Sequence, residues 1–236
     1  AQPPAPAKPL ASAMDAKLFF EVLVGELTVG QGDAGTAYAL LLDAANRTRD
    51  PVLYERAMAI ALTARDGPAA LNAVRAWRQV EPASREASQA ELQILLALGR
   101  IQDTPEAIAA TIRNSPTASQ RDVIVALPLL VARASDKQAA QQAVETAMRP
   151  WQAQGATAAA VWATRGRMRL LGGDRTGALA EARESLHANP RDNAAPMLAL
   201  ELLDAGHAPA EALVQQYLTG LQRLRLNANE ARARND

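Results

Sequence analysis

Turn-forming residues recur along this chain at intervals of about one helix, and that punctuation constrains the fold more than any other feature. They fall at Gly30-Gln-Gly-Asp33, Arg49-Asp-Pro51, Arg65-Asp-Gly-Pro68, Glu81-Pro82, Leu98-Gly-Arg100, Gly172-Gly-Asp174 and Asn189-Pro190. Glycine and proline end helices for opposite reasons, one by freeing φ and the other by fixing it and removing a donor. Between Pro51 and Gly67 the apolar residues Leu53, Ala57, Ile60, Ala61 and Ala64 form one stripe of a 3.6-residue period, and Ala70, Val74 and Trp77 form a second. Two short amphipathic helices joined by Arg65-Asp-Gly-Pro68 make a hairpin, which Glu81-Pro82 closes.

The same unit recurs over Phe20 to Asp50, Ser84 to Ser115, Ala158 to Pro190 and, more weakly, Asn193 to Leu224. The segment Gln120 to Pro150 departs from it, because Pro128 lies inside its first helix and is expected to kink or split it. Composition agrees with a helical array. There are 54 alanines and 30 leucines, against 8 aromatic residues in all. Alanine is the best helix former and lets helices approach closely, so the core is thin and suits paired helices. Val, Ile and Thr never alternate as they would in a strand.

Charge and residue inventory narrow the chemistry. Lys+Arg and Asp+Glu both number 25, so no net field draws the chain to nucleic acid or anionic lipid. Cysteine is absent, and histidine occurs only at His187 and His207, which removes thiol catalysis, disulfides and Cys-ligated metal, and leaves no cofactor or metal motif. The glycine turns follow no strand and carry no Lys-Ser/Thr, so they are not phosphate loops. His187 and His207 are expected to be capping or surface groups, and Trp77, Trp151 and Trp162 packing anchors.

Residues 1–14, with AQPPAPAKPL at their start, read as a disordered Ala/Pro tether, compatible with a processed export signal or with a linker. Residues 15–226 read as the helical repeat domain. The polar stretch 227–236 reads as a tail that frays or gives way to further repeats.

Trp162, Gly166, Gly173-Asp174, Ala178, Ala182 and Asn189-Pro190 together resemble the tetratricopeptide repeat consensus, and Ala70, Val74 and Pro82, or Gly25, Ala37, Leu41 and Ala44, resemble it in other units. Six hairpins at about 34-residue spacing agree with such an array. The resemblance implies an all-α, right-handed superhelical solenoid. A narrower resemblance covers Leu18 to Pro82, through Leu18-Phe-Phe-Glu-Val-Leu-Val-Gly-Glu-Leu27, Gly32-Asp33, Arg47-Thr-Arg-Asp-Pro51, Glu55-Arg56-Ala57, Ile60-Ala61 and Ala76-Trp77. It is similar to the amino-terminal repeats of exported proteobacterial tetratricopeptide proteins, a group that includes the lipoprotein adaptor of a periplasmic carboxyl-terminal-processing protease. It implies a periplasmic or outer-membrane-tethered scaffold bringing a protease to its substrates. Membrane attachment would come only through an N-terminal lipid anchor that this sequence, beginning at Ala1, does not carry.

Projecting the repeat register places Glu55, Arg56, Gln89, Gln93, Arg133 and Arg167 on an inner wall lined by the first helix of each pair, where a protein partner would bind. Any one of them is, by type, an ordinary solvated side chain unless the group clusters. Val22 and Glu26 stand where a carboxylate clamp would need donors, which argues against that mode. Arg165, Arg167, Arg169 and Arg175 form the densest basic run, but Asp174, Glu181 and Glu184 lie close by, and nothing suggests base stacking. Phe19, Phe20 and Leu23 mark a first helix with no preceding unit to cover it, a face for a partner or a second copy. The sequence therefore points to a non-catalytic protein-binding scaffold of the bacterial envelope, with no small-molecule substrate. The alternatives are a self-assembling element and an enzyme with an unrecognised carboxylate site.

Overall fold

The computed structural model describes residues 16–153 and 155–233, and all of their regular structure is helical. The proposed tether lies outside the described residues. The helices are α1 (Ala16–Gly30), α2 (Ala34–Thr48), α3 (Pro51–Thr63), α4 (Gly67–Val80), α5 (Arg85–Ala97), α6 (Pro105–Arg113), α7 (Thr117–Val131), α8 (Lys137–Met148), α9 (Ala158–Leu171), α10 (Arg175–Ala188), α11 (Ala194–Asp204) and α12 (Glu211–Ala233). They pair in succession as six hairpins, so the all-α hairpin array expected from the turn spacing is the observed architecture. At the far end α12 runs on to Ala233, past Leu226, where the sequence suggests a change to tail.

The helices group into two compact units, the first ending at Pro82 and the second beginning at Ala83. In the first, α1 packs on α2, α2 on α3 and α3 on α4. Leu41, Ile60, Leu71, Val74 and Trp77 are buried among fully covered alanines such as Ala37, Ala44, Ala57 and Ala70. In the second, α9 is the hub, touching α7, α8, α10 and α11. A Cβ on Gly166 of α9 would lie 2.3 Å from Leu198 Cδ2 and 3.1 Å from the Ala178 carbonyl oxygen, so glycine sets how closely α10 and α11 approach. Small residues at the crossings explain how few aromatics suffice to fill the core.

One turn chemistry recurs. Gly32, Arg65, Gly99, Gly173 and Gly206 all have positive φ. The residue after each donates its N–H to a carbonyl five residues back: Asp33 to Thr28, Asp66 to Ala61, Arg100 to Leu95, Asp174 to Arg169 and His207 to Leu202, at 2.8 to 3.2 Å. This is the left-handed stop that satisfies a helix's last carbonyls. At Asp33, Asp66 and Asp174 the next helix starts at once, the carboxylate accepting from Thr36, Ala69 and Gly177 N–H at 3.0, 2.9 and 2.8 Å. These five positions step by about 33 or 34 residues, except that the fourth hairpin lacks one, while Arg49, also at positive φ, ends α2 between the first two hairpins.

The fourth hairpin holds Pro128, and of the two outcomes expected there the split does not occur: α7 continues to Val131. A proline in a helix interior leaves the carbonyl four residues earlier without its donor. That carbonyl belongs to Ile124, and the buried Thr164 hydroxyl on α9 donates to it at 3.0 Å. The missing backbone bond is replaced by a side chain forty positions along the chain, while α7 packs chiefly on α9 and only lightly on its own partner α8.

Candidate functional site

The buried face of α7 is Ile124, Leu127, Pro128 and Val131. About a quarter-turn round the helix, Val125, Leu129 and Ala132 meet Arg167, Leu170 and Leu171 of α9 around a hollow of about 330 Å³, with Glu201 of α11 at its edge. Leu129 is 81% exposed, the most open large apolar side chain among the described residues, and Leu171 is half exposed. All three helices are first members of their hairpins, the set that the repeat register assigns to the wall.

The polar edge is built from an ion pair across one repeat. Arg167 Nε lies 2.9 and 3.0 Å from the two carboxylate oxygens of Glu201. The Arg167 side chain is only 13% exposed. Its Nη1 is buried with no hydrogen-bond acceptor among the described residues. An apolar wall bordered by a paired guanidinium and carboxylate can seat an aliphatic or aromatic side chain. It offers no nucleophile and base within reach of each other. Among the described residues no group of three His, Cys, Asp or Glu side chains is placed to hold a metal, and no helix is long and apolar enough to cross a membrane.

The other sequence candidates are dispersed. Arg133 lies just past α7 and lines a second hollow, of about 340 Å³, with Leu96, Gly99, Ile101 and Leu130. Gln89 is half-buried and Gln93 exposed on α5. In the first unit Glu55 is exposed on α3. Arg56 beside it grips Glu26 of α1 with two bonds, Nε to Oε1 at 2.6 Å and Nη2 to Oε2 at 2.5 Å. The hydrogen bond from Arg56 holds the Glu26 carboxyl below its ordinary range despite some burial, and the Arg56 guanidinium is correspondingly raised. Phe19 (56% exposed), Phe20 (64%) and Leu23 stand on one open side of α1.

The basic run of α9 is largely consumed internally. Arg169 Nε and Arg165 Nη2 both reach Glu181 Oε1, at 3.0 and 3.2 Å, and Arg169 Nη1 reaches Asp174 at 3.1 Å. The Arg165 guanidinium also lies 4.7 Å over the Trp162 ring. Trp77 and Trp151 are buried, as packing anchors should be, their indole N–H groups donating to Glu81 at 3.0 Å and to Gln120 at 3.2 Å. Sequence reasoning missed Val125, Leu129, Leu170, Leu171 and Glu201. Opposite charges one repeat apart on successive first helices, Glu26 with Arg56 and Arg167 with Glu201, were a signal available for the pairs.

No protein-family model matches the chain, and no curated protein matches its sequence. Among solved structures, it is similar to a MamA RS-1 ArsTM double mutant (12% identity over 92% of this chain and 98% of that one, TM-score 0.36). It is also similar to PilW, a type IV pilus biogenesis factor (13% identity, 89% and 94% covered, TM-score 0.39), and to the TPR domain of P58(IPK) (15% identity, 91% and 68% covered, TM-score 0.34). Likeness at this level carries no site residue from those proteins to this chain.

Proposed function

We propose that this chain is a non-catalytic protein-binding scaffold, and that the α7/α9 hollow holds an apolar side chain of a client polypeptide. The observation that carries this reading is Leu129, almost wholly exposed above an apolar hollow of about 330 Å³ whose edge is the Arg167–Glu201 pair. A leucine so placed contributes nothing to the core and loses contact with water only when something covers it. The finer reading, a scaffold of the bacterial envelope that brings a carboxyl-terminal-processing protease to its substrates, is supported by the resemblance of Leu18 to Pro82 alone.

Because the chain has no cysteine, Leu129→Cys accepts a benzophenone maleimide at one place. Under illumination in an envelope extract it is expected to crosslink a discrete set of polypeptides, the protease among them, and the yield should fall when Leu171→Glu is added. Labelling at the exposed Glu55 should give a different set. The same polypeptides captured from both positions would refute a localised site, and a set without the protease would refute the finer reading alone. A second reading, self-association through α1, rests on the exposed Phe19, Phe20 and Leu23. Light scattering that shows a monomer at every concentration removes it.

A further inference from the structure

The second helices of the last two hairpins, α10 and α12, enclose a larger hollow, of about 640 Å³. Its charged lining has one sign: Arg183 on α10 and Arg223 on α12, with the His187 imidazole beside them and no Asp or Glu in the wall. Neither arginine forms an ion pair or hydrogen bond among the described residues, whereas Arg165, Arg167 and Arg169 are each matched by a carboxylate. The floor is apolar, made by buried Leu186 and the half-buried ring of Tyr217. Where α12 passes the hollow it carries Gly220, and a Cβ there would meet nothing within 4 Å. The backbone is thus open to close approach at the point where most side chains would fill the space.

We infer that this hollow binds an internal acidic segment of a polypeptide, with Asp or Glu carboxylates on Arg183 and Arg223 and an intervening apolar side chain on Leu186 and Tyr217. Guanidinium groups suit this because their planar donor forks match carboxylates. The arginines stand on two different helices, so carboxylates spaced along a segment serve both, which a single terminal carboxylate does less well. With the chain's formal charge at zero, attraction here is local and works through this patch, with no help from a field of the whole molecule. The inference does not depend on the α7/α9 hollow, which is lined by first helices.

The test uses the whole chain and the peptide Gly-Asp-Leu-Glu-Asp-Leu-Gly-amide, carrying fluorescein on its N-terminal amine, followed by polarisation. The acidic peptide is expected to bind at least about tenfold tighter than its Asn/Gln counterpart, and to weaken severalfold between about 50 mM and about 300 mM salt. The double variant Arg183→Gln, Arg223→Gln should lose about tenfold. Gly220→Leu should lose a similar factor by occupying the space, and because leucine is the better helix former it keeps α12 intact, as circular dichroism would verify. The inference is overturned by equal binding of the neutral peptide, by unchanged affinity in both variants, or by no binding of the acidic peptide. It is also overturned if only a neutral peptide with a free C-terminal carboxylate binds.

Discussion

Replacing Thr164 by valine removes one hydroxyl and tests whether that hydroxyl substitutes for the donor that Pro128 lacks. Thr164 and Ile124 are both fully buried, so without the 3.0 Å bond the Ile124 carbonyl has no water to turn to. Leaving such a group unsatisfied costs about 1–3 kcal/mol, while threonine and valine hardly differ in helix propensity. At a urea slope of about 2 kcal/mol per molar, the midpoint should fall by about 0.5–1.5 M. Trp151 and Trp162 both report on the second unit once Trp77→Phe silences the first, which keeps the two units' transitions apart. The decisive measurement is the double-mutant cycle with Pro128→Ala. Alanine brings back the backbone N–H, so Thr164→Val should cost appreciably less in that background, with a coupling of about 1 kcal/mol or more. Equal costs in both backgrounds would refute the replacement and reduce Thr164 to a buried polar group with local importance only.

Gly166→Ala puts a methyl 2.3 Å from Leu198 Cδ2 and 3.1 Å from a backbone oxygen that cannot rotate away. It should destabilise the second unit by about 1–3 kcal/mol despite alanine's better helix propensity, and a higher melting midpoint would contradict the packing account. Asp192 joins α7 to the loop before α11, accepting from Arg121 Nε and Nη2 at 2.7 Å each and from Ala194 N–H at 2.7 Å. Burial alone would raise its carboxyl, but Arg121 and the Ala194 N–H outweigh burial and hold it below the ordinary carboxylate range. A lowered folded-state pKa contributes stability above the unfolded value, about 3.9, and loses it as pH falls through the folded one. Asp192→Asn should therefore lower stability near neutral pH and flatten the acid limb of the stability curve below about pH 4, measured by urea melts across pH. An acid limb as steep as in the parent chain would rule this group out.

The hairpins were legible because their signals are local: Gly or Pro ends a helix, and Asp33, Asp66 and Asp174 start the next within the same few residues. How α7 accommodates Pro128 is not legible, for the opposite reason. The sequence displays the lost donor beside Ile124 but not Thr164, whose nearness is created by packing of α7 on α9. The α7/α9 hollow was hidden in the same way. Leu129 and Leu171 look like core residues in a stripe, and only the placement of α9 shows that the buried face turns away from them. The repeat register places Arg167 on the wall, yet its partner Glu201 lies one repeat away, and its guanidinium serves as the hollow's edge more than as an exposed contact. The basic run at Arg165 and Arg169 reads as a patch in one dimension and becomes a neutralised cluster once Glu181 crosses to it from α10.

The bond that Thr164 lends to α7 bears on how such a chain can be cut or recombined. Repeat proteins are often treated as interchangeable bricks, each owning its internal bonds and sharing only a seam. Here the fourth brick is incomplete alone, since a main-chain acceptor in it is served from the fifth. Swapping, deleting or duplicating hairpins in this molecule should thus move those two as one piece, and a border drawn between them would strand a carbonyl in the new core.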